Sequence, residues 1–273
     1  MGKQSKAQEA QAKREYLEAR RREEAERQKK ENQKMWRIVI AVVAAVLIIA
    51  AVAIALGASK DKTEEPVDEG SSAVTMDQLD FSAVAPMKCV DTPEVTDHVR
   101  LNVTYTDQNG IRRTGDIIIR LYAQVAPKTV ANFQTLVKNG FYNGLIFHRV
   151  VEGFMIRGGG FDQDMGAKRA ASIVGEMEAN DFTNNLRHVR GVVSMARSNS
   201  VNSASSQFFI MQQENANLDG GYASFGYVVY GMDTVDAIAQ TECQAAEGSI
   251  DEAPSQPVNP VVINSATFVI VTQ

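Results

Sequence analysis

In the stretch FHRVVEGFMIRGGG, Phe147 to Gly160, two arginines, Arg149 and Arg157, stand among apolar residues and glycines. A guanidinium keeps its charge in a protein, and withdrawing one from water is costly unless partners meet that charge. An arginine held at the rim of an apolar pocket can instead donate hydrogen bonds to a reacting group, and Arg149 is the leading candidate for that work. Phe147, Phe154, Met155, Gln207, Phe209 and Leu218 supply the apolar walls and the single amide that would surround it. Taken singly, each Phe or Leu reads first as core.

Other chemistries find no support in the spacing. The three histidines, His98, His148 and His188, are not paired at metal-ligand intervals, which argues against zinc. No G-x-S-x-G elbow is present, and Gly158 to Gly160 lack the G-K-[ST] continuation of a phosphate loop. No metal and no cofactor are expected. Cys89 and Cys243 match no metal motif; two free buried thiols are expected, with a disulfide open in an oxidising compartment.

The elements that must position these residues are mostly short strands. Val99 to Thr106 alternates, Asp107 to Gly110 (DQNG) supplies turn chemistry, and Gly115 to Leu121 is a second strand. Pro127 opens a helix through Val137 with Val130, Phe133, Leu136 and Val137 on one face, stopped by Asn139-Gly140. Further strands are expected over Leu145 to Val151, Gly191 to Ala196, Gln207 to Gln212, Phe225 to Val229 and Val261 to Val271, with a short helix around Thr234 to Gln240. Many strands, two helices and abundant glycine predict a mainly β fold, a closed antiparallel barrel with helical plugs.

Charge divides the 273-residue chain. Residues 1–37 hold twelve Lys or Arg against seven Glu, which leaves 16 basic and 26 acidic residues beyond them. The acidic body argues against nucleic acid as the partner. Ile38 to Leu56 has nineteen residues without a polar side chain; as a helix it would span roughly 28 Å, close to the hydrocarbon thickness of a bilayer. A transmembrane helix is expected, with a cleaved signal peptide as the rival that a 37-residue charged leader disfavours. The basic flank predicts a cytoplasmic N-terminus and an extracytoplasmic body. The domains expected are a charged helical head (1–37), the span (38–56), a flexible tether and extension (57–97) and a barrel (98–273).

Four blocks carry a resemblance: F-H-R-V-x-x-G-F-M-I-x-G-G, R-G-V-V-S-M-A-R, S-Q-F-F-I and L-D-G-x-Y-x-x-F-G. In order and spacing they resemble the cyclophilin family of peptidyl-prolyl isomerases over about Val99 to Val271. The Met-Ala-Arg triplet and Tyr222 look more like bacterial members. The resemblance implies an eight-stranded barrel capped by two helices with a substrate groove on its outer surface. It implies that Arg149 is the catalytic arginine and that Phe154, Met155, Phe209 and Leu218 form the proline pocket. Phe147 would support its floor, while Gln207 and the backbone near Ala196 and Arg197 would hold the peptide in register, with Tyr222 at the rim. Proline-containing peptides and unfolded exported proteins are the implied partners, with a catalytically weak binding module or chaperone on the same barrel as the alternative.

The sequence departs from the family pattern in three places. Arg157 stands where the family usually has Gln, bringing a second guanidinium near Arg149. Tyr222 and Asn217 replace the His and Trp of many members, so tight binding of the immunosuppressant cyclosporin is not expected. The loop Gly166 to Ser172 (GAKRAAS) carries Lys168 and Arg169, which would either favour acidic residues near the substrate proline or serve only as solvated loop charge.

Overall fold

The structure is a computed structural model that describes residues 74–85, 88–246, 251 and 253–272. The charged head, the apolar segment 38–56 and the tether up to residue 73 lie outside the described residues. Among the described residues no helix is long and apolar enough to cross a membrane.

Eleven strands and two α-helices are described. They are β1 (Cys89–Thr92), β2 (His98–Thr106), β3 (Arg112–Leu121), α1 (Pro127–Lys138), β4 (Ile146–Val151), β5 (Met155–Gly158), β6 (Val192–Met195), β7 (Phe208–Met211), β8 (Ser224–Tyr230), α2 (Met232–Ala239), β9 (Cys243–Gln244), β10 (Gln256–Pro257) and β11 (Val261–Val271). Eight of the strands run β11-β2-β3-β8-β6-β7-β5-β4, and β4 pairs back onto β11. The sheet thus closes into the expected mainly β, antiparallel eight-stranded barrel with two helices, and closure removes its open edges.

Period-2 alternation sorts the side chains. Ile156, Val193, Met195, Phe208 and Ile210 point into the barrel core with Leu101, Ile117 and Ile119. Their neighbours Met155, Val192, Ala196, Phe209 and Met211 point outward into a second apolar cluster. Short strands with apolar residues on both faces, such as FFIM in β7, therefore have both faces covered. Helix α1 plugs the barrel with Val130 and Phe133, each worth roughly 1.5–3 kcal/mol of burial. Proline at its first turn suits the missing N–H, and the buried Glu176 carboxylate accepts from the backbone N–H of Lys128 at 2.9 Å and Thr129 at 2.7 Å.

Ahead of β2 the described residues of the expected extension pack on the barrel. Leu79 is buried, Phe81 meets the rings of Tyr122 and Tyr227 edge-on at 5.7 and 4.8 Å, and β1 adds to the outer end of β11 from Cys89↔Val271 to Thr92↔Phe268. Cys89 and Cys243 are free thiols.

Candidate active site

Strict alternation would send Arg149 the same way as Phe147, into the core. A bulge prevents it: β4 pairs with β5 through Phe147↔Gly158 and then Arg149↔Arg157, with His148 extra. An extra residue reverses the parity of everything beyond it, so Phe147 and Val150 are both inward while Arg149 emerges on the outer face. Gly153, at φ 75°, then turns the chain in the left-handed region that glycine tolerates. This turn presents Phe154 beside Met155.

Arg149, Phe154, Met155, Arg157, Ala196, Arg197, Phe209, Leu218 and Tyr222 line one cavity of about 60 Å³. Phe209 forms its floor, edge-on to Tyr222 at 5.7 Å. Leu218 is delivered by the short 3-10 helix Ala216–Leu218, whose first turn is capped by the Asn215 side chain, which accepts from Asn217 N at 3.1 Å. Arg197 lies over the Tyr222 ring at 5.0 Å and donates to Gly221 O at 2.8 Å. All nine lining residues are ones that the sequence singles out.

Phe147 and Gln207 are not among the residues lining this cavity. Phe147 does not reach the groove: it is fully buried and packs edge-on against Phe208 at 5.8 Å inside the barrel. Gln207 lines a neighbouring cavity instead; Arg157 donates to its Oε1 from Nε at 3.0 Å and from Nη2 at 2.5 Å. A Cβ at Gly160 would collide with the Gln207 amide, so the glycine leaves room for this arrangement. Lys168 is exposed on its loop and donates to Phe141 O at 2.7 Å.

Arg149 is held by a carboxylate to which the sequence does not point. Its Nε and Nη2 donate to the two carboxylate oxygens of Asp251, at 2.8 and 2.5 Å. This fork uses two of the five guanidinium N–H donors, and Asp251 holds the Arg149 pKa above its ordinary value. Arg157 goes the other way, its pKa lowered by burial and then by Arg149. Asp251 lies 102 residues beyond Arg149, and no local signal in the sequence ties the two together.

The supports behind the floor carry no sequence signal either. His188 is 1% exposed and stacks on Phe209 with ring centroids 5.9 Å apart. Its Nδ1 pairs with Asp219 at 2.9 Å and its Nε2 with the Ser194 hydroxyl at 3.1 Å, which fixes the ring. On the far side the His148 pKa is pushed down to about 4 by burial, Arg157 and Arg149. Among the described residues no group of His, Cys, Asp and Glu could hold a metal ion. An apolar pocket edged by a guanidinium with N–H donors beyond its carboxylate fork is suited to gripping a small ring and stabilising a polarised amide beside it.

Known proteins are similar to this chain over the barrel. The family described as "Cyclophilin type peptidyl-prolyl cis-trans isomerase/CLD" matches residues 104–268. Peptidyl-prolyl cis-trans isomerase A of Dickeya dadantii is 45% identical over 160 residues, covering 57% of this chain and 80% of the relative. Peptidyl-prolyl cis-trans isomerase B of Escherichia coli is 40% identical over 161 residues, covering 56% and 93%. A solved Cryptosporidium parvum cyclophilin type peptidyl-prolyl cis-trans isomerase, studied in the presence of the dipeptide Ala-Pro, is 28% identical and covers 63% of this chain and 98% of its own, with a TM-score of 0.49. The chain belongs to the cyclophilin-type peptidyl-prolyl cis-trans isomerases.

Proposed function

We propose that the outer groove isomerises X-Pro bonds with Arg149 as the catalytic residue and with Phe154, Met155, Phe209 and Leu218 gripping the proline ring. The carrying observation is their convergence on one cavity with Arg149 at its edge. Rotation about the X-Pro amide is slow because twisting breaks resonance, with a barrier of roughly 18–20 kcal/mol. In the twisted state the proline nitrogen regains a lone pair. A hydrogen bond from Arg149 to that nitrogen is stronger in the twisted state than in either planar form, which is the condition for acceleration. Such a charge-assisted bond supplies about 1.5–3 kcal/mol, roughly one to two powers of ten in rate. The pocket supplies more by withdrawing the amide from water while its ring is held.

Cis/trans exchange of a short Ala-Pro-Phe peptide, followed by NMR with wild type and Arg149→Ala, tests the assignment. Acceleration by wild type and its loss in the variant are expected. Equal acceleration by both proteins would remove Arg149 from the reaction.

The composition of the N-terminal region supports a setting for this activity: a membrane anchor over residues 38–56 with a basic cytoplasmic flank, and exported proteins as substrates of an extracytoplasmic barrel. Protease added to intact cells should digest the barrel and spare the head. A fully protected barrel would reverse the orientation.

A further inference from the structure

Next to the proline-sized cavity lies a larger one of about 430 Å³, and the two share Arg157, Ala196 and Arg197. The charged lining of the larger cavity has one sign. It consists of Arg157, Arg169 and Arg197, accompanied by serine hydroxyls and Gln207, with no carboxylate. Among the described residues no salt bridge falls on any of the three arginines. Arg197 is satisfied by the backbone carbonyls of Gly221 and Ser198, and Arg157 by the neutral Gln207 amide.

The neighbouring pair makes the contrast plain. Arg149 and Arg157 face each other across one register position, yet the Asp251 carboxylate forms its fork with Arg149. Burial and Arg149 both work against the charge on Arg157, and Tyr222 and Asp251 offset them only in part. A half-buried cation next to another cation, held by a neutral acceptor, gains from an anion that reaches it.

We propose that this second cavity is a subsite for an acidic side chain, the carboxylate of Asp or Glu, on the same polypeptide whose proline fills the cavity beside it. The inference rests on the isomerase reading above and adds a substrate class to it. Arg157 then selects substrates rather than assisting the rotation. Because the two cavities share walls, the acid must lie within a few residues of the proline, given about 3.3–3.6 Å of extended chain per residue.

Short single-proline peptides carrying Glu, Gln or Lys in turn at each position from three before the proline to two after it provide the test. Binding is read by fluorescence anisotropy and turnover by NMR exchange. At one position the Glu peptide should bind about tenfold more tightly than the Gln peptide, the effect of one charge-assisted hydrogen bond, and the Lys peptide more weakly than either. The Glu preference should shrink as salt rises. Arg157→Gln and Arg169→Ser should each lower the Glu-to-Gln ratio. Arg169 is in an exposed loop, so its variant keeps the test decisive if Arg157→Gln fails to fold. Equal binding of Glu and Gln peptides at every position would overturn the proposal, as would a preference that both variants retain. Absence of turnover on every peptide would count against the isomerase reading alone, because the binding ratio is read without it.

Discussion

Replacing Asp251 with alanine isolates the contribution of one carboxylate. The Arg149 and Asp251 side chains are 27% and 11% exposed, so the pair is largely withdrawn from water. Arg149 and Arg157 occupy facing positions on adjacent strands, where like charges destabilise each other. At about 6 Å and an effective dielectric of about 20, two unit charges repel by about 3 kcal/mol. Asp251 offsets much of that and fixes the plane of the guanidinium through two parallel bonds. Without it Arg149 turns toward solvent, and the hydrogen bond that matters only in the twisted state is mostly lost. A fall in kcat/KM of about thirtyfold is expected, equivalent to about 2 kcal/mol, with KM little changed because the apolar pocket stays intact. NMR exchange across a range of peptide concentrations separates the two constants. In an Arg157→Gln background the same replacement should cost only about threefold, because the repulsion it unmasks is gone, and that coupling distinguishes positioning from general loss of structure. A rise in kcat/KM on removing Asp251 would refute the reasoning, since the carboxylate would then be competing with substrate for Arg149. So would an equal loss in both backgrounds.

The floor, the neutral histidine His148 and the helix cap each have a measurable consequence. Phe209→Ala should raise KM at least tenfold and lower stability by about 3 kcal/mol, read by peptide titration and denaturant melts, because it removes the pocket floor and leaves a hole beside His188. His148 is neutral in the fold with its pKa at about 4, against an ordinary 6.5; the stability this represents, about 3 kcal/mol, is fully present above pH 6.5 and is lost as pH falls toward 4. NMR titration of the ring should show that pKa rising in Arg157→Gln, since Arg157 is the larger of the two charges depressing it. Glu176→Ala should cost about 2–3 kcal/mol in thermal or chemical unfolding, because it orphans the Lys128 and Thr129 N–H groups and the Thr129 hydroxyl.

The pocket residues are legible in the sequence because each is carried by a short apolar block whose order survives into the fold. Alternation places Met155, Arg157, Phe209 and Ala196 outward from their strands, and the turn at Gly153 sets Phe154 beside them. The bulge at His148, which leaves Phe147 in the core and brings Arg149 to the outer face, leaves no mark on periodicity: FHRVV looks the same with or without the extra residue. Asp251 is missed because its partner is 102 residues away, a pairing that only the closed barrel brings about. His188 illustrates a different blind spot. A lone histidine outside any metal spacing carries no sequence signal, yet its ring, fixed by Asp219 and Ser194, keeps Phe209 flat.

Strand β1 has a consequence for where the folding unit can be cut. Through Cys89 it covers an outer apolar strip made by Ile118, Val229 and Val269, and it pairs with the end of β11 that β2 leaves behind. A chain begun at His98 would keep every groove residue and still expose that strip beside an unpaired stretch of β11, a template for pairing with other chains. Such a fragment would be catalytically complete and prone to aggregate, so the start of the domain is set by solubility rather than by chemistry.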